Sequence, residues 1–74
     1  MSEADEEAFE VNVNGELRAV PAGASVADLV ASLGFAPKQV AVERNKVIVR
    51  RDVHAATLLE HGDQVEVVTF FGGG

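Results

Sequence analysis

The chain contains no cysteine, so no disulfide braces it and no thiolate can hold a metal. No apolar run approaches the roughly 18 residues that a membrane span requires. The basic, apolar, small-residue progression of a secretory leader is missing, and the expected location is the cytoplasm. Basic residues are scarce: six Lys and Arg stand against twelve Asp and Glu, a net charge of −6. Nucleic-acid binding normally needs a basic footprint and is therefore disfavoured. No Walker loop, dinucleotide fingerprint or Ser-His-acid spacing occurs. The two histidines, His54 and His61, fall in no metal-ligand pattern and are expected to be ordinary surface or loop residues. These absences leave the chain without an expected active site of its own, so it reads as a protein acted on rather than an enzyme.

What is present fits one small domain, since 74 residues lie near the lower limit for a single unstapled core. Glu3, Asp5, Glu6 and Glu7 carry four of the negative charges, leaving the remainder near −2. Residues 1–8 are therefore expected to be a solvated, disordered acidic extension. The folded domain is expected over 9–71, with 72–74 as a flexible arm.

Phe9-Glu10-Val11-Asn12-Val13 alternates apolar and polar residues, which predicts a half-buried strand. Asn14-Gly15 is a strong hairpin signal, because both residues tolerate the positive φ of a type I′ turn, and residues 16–20 should return antiparallel. The register of that second strand stays open, with Leu17 and Ala19 competing with Val20 for the inner face. Ser25 should cap a helix, its side chain and that of Asp28 bonding each other's backbone N–H. Val26, Leu29, Val30 and Leu33 then form one apolar stripe at i, i+3, i+4 and i+7. Gly34 suits the left-handed position after the helix, and Pro37 blocks its resumption.

Residues 40–43 and 46–50 read as two more strands with Arg44-Asn45 in or near their turn. Arg44, Lys46, Arg50 and Arg51 form a local basic cluster, either a charge-protected hairpin or a docking patch for an acidic surface. Residues 52–60 are too short for an independent helix and suit a single turn of helix or 3₁₀. His61-Gly62-Asp63 should turn into the final strand. There Val65 and Val67 are expected to face the helix, with Glu66, Val68 and Phe70 on the other side. Val68 and Phe70 are then either buried by a bulge or loop, or they form a partner-binding patch. Phe71 has the inner parity and is expected to anchor the base of the arm.

The chain ends Phe70-Phe71-Gly72-Gly73-Gly74. Three glycines without Cβ atoms can thread where side chains would clash. The Gly74 α-carboxyl, with an ordinary pKa of about 3.5, is ionised at neutral pH and a poor electrophile. To react it must be activated, and adenylation with ATP converts it to a mixed anhydride open to nucleophiles.

The order strand, strand, helix, strand, strand, short turn, strand, ending in Gly-Gly, resembles the β-grasp or ubiquitin-like fold. This is an α+β class with a mixed sheet of about five strands and one main helix across one face. Within it, the sequence is similar to the ThiS family of sulfur carriers of thiamine biosynthesis. The matching residues are Asn14-Gly15, Pro21-Ala22-Gly23 before Ser25-Val26-Ala27-Asp28-Leu29, Val40-Ala41-Val42-Glu43-Arg44-Asn45, Gly62-Asp63 with Val65-Glu66, and the closing Phe70-Phe71-Gly72-Gly73-Gly74. It departs from the family in its acidic extension and in Thr69-Phe70-Phe71, where such chains often carry His-Phe-Val.

The resemblance implies a protein co-substrate whose reactive group is the Gly74 carboxylate on the arm Gly72-Gly73-Gly74. A ThiF-like adenylyltransferase would activate it with ATP and magnesium, both held by that enzyme and neither by this chain. A cysteine desulfurase or rhodanese-type donor would supply sulfur, giving a thiocarboxylate delivered to the thiazole synthase ThiG. Val68, Phe70, Phe71, Arg44 and Lys46 are the expected partner-binding residues, and the free chain is expected to be a monomer. Related carriers serve molybdopterin synthesis (MoaD), tRNA thiolation or cysteine formation, and ubiquitin-like modifiers share the tail. An interaction domain with incidental glycines is the remaining reading.

Overall fold

The computed structural model describes residues 8–70. The acidic extension through residue 7, and Phe71 with the three terminal glycines, lie outside the described residues. The strands are β1 (Ala8–Val13), β2 (Glu16–Pro21), β3 (Val40–Arg44), β4 (Val47–Val49) and β5 (Gln64–Thr69), with one α-helix, α1 (Val26–Ser32). β1 thus starts at Ala8, one residue inside the segment assigned to the extension. The strands form one sheet in the order β2-β1-β5-β3-β4. β5 runs parallel to β1 and antiparallel to β3, so the sheet is mixed and its last strand is central. This is the five-stranded sheet with a single main helix expected of a β-grasp.

Local chemistry explains each junction. Asn14 and Gly15 take φ of 53° and 90°, the left-handed pair that a two-residue hairpin needs. Pairing of Phe9 with Val20 and Asn12 with Leu17 settles the open register. Val20 goes inward, while Leu17 and Ala19 face solvent. At the start of α1 the Ser25 hydroxyl accepts the Asp28 N–H at 3.0 Å and the Asp28 carboxylate accepts the Ser25 N–H at 2.9 Å. Gly34 follows the helix with a φ of 89°, in the left-handed region.

Among the described residues nine of the twelve buried hydrophobics are valine, which suits strands because a β-branched side chain is stiff and packs well on a pleated surface. Val11, Val13, Val20, Val40, Val42, Val65 and Val67 from the sheet join Val26, Leu29 and Val30 of α1 in one cluster. Leu59 completes it, held where its N–H donates to Ala24 O at 2.8 Å beside the reciprocal Val26 N–H to Thr57 O. A 3₁₀ segment over Arg51–Ala56 fills part of the predicted turn region. It carries one correction: His54 is a buried residue, 4% exposed, and not a surface one. Its Nε2 lies 3.0 Å from Val49 O, and its Nδ1 is buried without a partner among the described residues. His61 is exposed as expected, its Nδ1 accepting the Glu10 N–H at 3.0 Å.

Candidate functional site

Alternation along β5 divides its side chains as the pattern predicts. Val65 and Val67 are buried, whereas Val68 and Phe70 are 57% and 58% exposed. No described loop or bulge covers the latter two. Across the sheet Val68 stands opposite Ala41, and Glu66 opposite Glu43, which in turn faces Ile48 of β4. Ile48, 70% exposed, thereby joins Val68, Ala41 and Phe70 on the open face. It was missed because Val47, Ile48 and Val49 are all apolar, and a run without alternation names no face. The available signal was its register opposite Glu43, an outward residue.

Phe70 and Ile48 line a shallow groove of about 150 Å³ together with Ala41, Arg50, Arg51 and His54. A broader groove of about 850 Å³ lies over the start of β5, between the two hairpin turns, lined by Lys46 and Val68 with Asn12, Asn14, Gln64 and Glu66. Lys46 is thus brought to Val68 but is not in the Phe70 groove. Phe70 itself is fixed at its backbone, its N–H donating to Gln39 O at 2.8 Å. Phe71, Gly72, Gly73 and Gly74 lie outside the described residues.

Arg44, one of the expected partner-binding residues, is engaged within the fold. Its Nε donates to Asp63 Oδ2 at 2.8 Å, and the guanidinium lies 3.9 Å from Glu60 at the rim. Asp63 is buried and also accepts the Glu60 N–H at 2.8 Å and Asn45 Nδ2 at 3.1 Å. Burial alone would raise its pKa, but these three donors outweigh that and hold the carboxyl below its ordinary value. Arg50 is likewise paired, with Asp52 at 3.2 Å, and Arg51 donates to Pro37 O. Three residues of the basic cluster are therefore engaged within the chain, Arg44 at the entrance of β5, Arg50 with its neighbour Asp52 and Arg51 with the Pro37 carbonyl.

Among the described residues no group of three or more His, Cys, Asp or Glu could hold a metal ion, and no helix is long and apolar enough to cross a membrane. The geometry offers an apolar open face whose central strand leads directly into the Phe-Gly-Gly-Gly end.

Comparison with known proteins converges on one family. The chain is 48% identical over 66 residues to a thiazole synthase of Magnetococcus marinus and 42% identical over 62 residues to one of Paramagnetospirillum magneticum. These matches cover 89% and 84% of this chain but only 20% and 19% of those proteins, so the chain spans about a fifth of their length. The crystal structure of the thiamine biosynthesis protein ThiS from Geobacter metallireducens superposes with a TM-score of 0.74 at 33% identity, covering 89% of this chain and all of that one. The solution structure of a thiamine biosynthesis protein from the same organism gives 0.73, again at 33% identity, over 89% of this chain and 88% of that one. The ThiS family model matches residues 11–74, from the first core valine through the last glycine, and the chain belongs to the ThiS family.

Proposed function

We propose that this chain is a sulfur carrier for thiazole formation in thiamine biosynthesis, with the Gly74 carboxylate as its reactive group. The observation that carries the reading is the family match through residue 74 on a chain whose last strand and the residue after it present Val68 and Phe70 exposed among the described residues. An ionised carboxylate resists nucleophiles. Adenylation joins one of its oxygens to the α-phosphorus of ATP and expels pyrophosphate. The terminal sulfur of a persulfide then attacks the acyl carbon, and AMP departs with that oxygen. A thiol cleaves the resulting acyl disulfide and leaves Gly74 as a thiocarboxylate. The adenylating enzyme is a ThiF-like adenylyltransferase that holds the ATP and magnesium, and the persulfide comes from a cysteine desulfurase or rhodanese-type donor.

The recipient is a thiazole synthase. Support comes from the two synthases that each carry a segment like this chain within a much longer polypeptide, an arrangement that keeps carrier and acceptor together. The exposed patch of Val68, Phe70 and Ile48 is the docking face for the activating enzyme, large apolar side chains being suited to the desolvated centre of an interface.

Intact mass of the chain purified with its cellular partners tests the proposal. A fraction heavier by the difference between one sulfur and one oxygen, and shifted further by a thiol alkylating agent, is expected. Deleting Gly73 and Gly74 should abolish that fraction and adenylate formation. Thiamine synthesis that survives this deletion would sink the reading.

A further inference from the structure

Glu43 of β3 and Glu66 of β5 are direct cross-strand partners on the open face of the sheet. Residues so opposed hold their Cβ atoms about 4.5–5.5 Å apart, and two like charges at that spacing destabilise the sheet. The nearby cations do not answer them. Arg44 follows Glu43 in sequence but has the parity of the buried Val40 and Val42, and it is engaged with Asp63 and Glu60. Arg50 is paired with Asp52. Lys46 lines the same groove as Glu66, yet among the described residues neither glutamate has an ion-pair partner.

The acidic pair is bordered by apolar groups. Ile48, 70% exposed, is the β4 neighbour of Glu43, and the next rung up the sheet joins Ala41 to the exposed Val68. These surroundings discriminate between occupants. A second copy laid on this face across a two-fold axis would bury two acidic pairs in one contact with no cation between them, which is strongly unfavourable. A guanidinium fits better: it is planar, weakly hydrated and rich in donors, so it can serve two carboxylates while its stem lies on apolar side chains.

We propose that Glu43 and Glu66 form an acidic subsite of the docking face that receives an arginine of the activating enzyme, with Ile48, Ala41 and Val68 against the arginine's stem. This rests on the carrier reading above. The apolar residues supply contact area, and the glutamates supply selection, because exposed Ile, Val and Phe alone would accept any apolar surface. Docking also relieves the repulsion that the free chain carries between β3 and β5.

The test uses the full chain with the organism's own ThiF-like adenylyltransferase and reads carrier-dependent exchange of pyrophosphate into ATP over a range of salt concentrations. Glu43→Gln combined with Glu66→Gln should raise the KM for the carrier about tenfold at low salt, and the corresponding pair of lysine substitutions about a hundredfold. The wild-type KM should climb with salt, and that of the double glutamine variant should climb less steeply. Glu16→Gln, an equal change of charge to Glu66→Gln but on the exposed β2, should stay within about twofold of wild type. The double glutamine variant should melt at the wild-type temperature or above it, since a repulsion is removed. A lower melting temperature would give the pair a structural role and overturn the inference. An unchanged KM with unchanged salt dependence overturns it too, and so does a Glu16→Gln effect as large as that of Glu66→Gln, which would reduce the attraction to net charge. Weakened binding to the thiazole synthase beside an unchanged KM for the adenylyltransferase would assign the subsite to the other partner and overturn the proposal as stated. A wild-type chain that supports no pyrophosphate exchange overturns the carrier reading first, and this inference with it.

Discussion

Asp63 shows how one side chain can organise a corner of the fold. Its carboxylate takes the Glu60 N–H and the side chains of Arg44 and Asn45, joining the entrance of β5 to the β3–β4 turn. Because its folded pKa lies below its ordinary value, the unfolded chain binds the proton more readily. The stabilisation is therefore complete above the unfolded value of about 3.9 and is lost as pH falls through the lower folded value. Thermal melts of the wild type should be insensitive to this group from neutral pH down to about pH 5 and should fall more steeply below about pH 4. Asp63→Ala should remove about 2–3 kcal/mol at pH 7, since it removes the buried carboxylate that accepts from Arg44, Asn45 and the Glu60 N–H, and should flatten that acid limb. The Gly62-Asp63 turn was legible in the sequence, but its pairing with Arg44 was not. Nothing in a spacing of 19 residues says that β3 and β5 are neighbours, and an arginine among other basic residues reads as a surface charge until its partner is seen. His54 was misread for a related reason: histidine occurs both buried and exposed, and only the three-dimensional path of residues 51–56 brings it beneath Val49.

At the level of elements, period and capping chemistry carried most of the information. The Ser25 and Asp28 box, the stripe of Val26, Leu29 and Val30, and the left-handed Gly34 were all readable, because each is a local rule obeyed within a few residues. Ser25→Ala should cost about 1 kcal/mol, measured by denaturant unfolding, since the hydroxyl that accepts the Asp28 N–H disappears from the start of a helix of only seven residues. The alternation of β5 was equally legible and separates a buried face from an exposed one. Phe70→Glu and Ile48→Glu should each raise the KM of the adenylyltransferase for the carrier by tenfold or more, while leaving the melting temperature nearly unchanged. Collapse of the folded state in either variant would place that residue in the core and remove the docking face. Where alternation failed, so did the reading. β2 offered apolar residues of both parities and β4 offered apolar residues only, so their faces had to come from the pairings with β1 and β3.

For the whole molecule, every buried hydrophobic residue among those described lies from Val11 to Val67, upstream of the terminal glycines in the sequence. Removing Gly73 and Gly74 should accordingly leave the melting temperature unchanged while abolishing adenylate formation, and the two measurements together separate carrier chemistry from stability. The sheet order was not legible in the sequence, since no local pattern states that the first and last strands lie side by side in parallel; the resemblance implied only a mixed sheet. That arrangement bears on how the protein comes to be finished. Until β5 is in place, the β1–β2 and β3–β4 hairpins are two fragments with no strand between them, each too small to persist alone. Joining them requires contacts spanning most of the chain, the slowest kind to form. The strand that fuses the fragments is the same one that bears Val68 and leads to Gly74. Under the carrier reading proposed above, a partner that grips this strand's outer face before it reaches the terminal glycine would thereby inspect the completeness of its substrate, and half-made or unravelled copies would be refused before ATP is consumed.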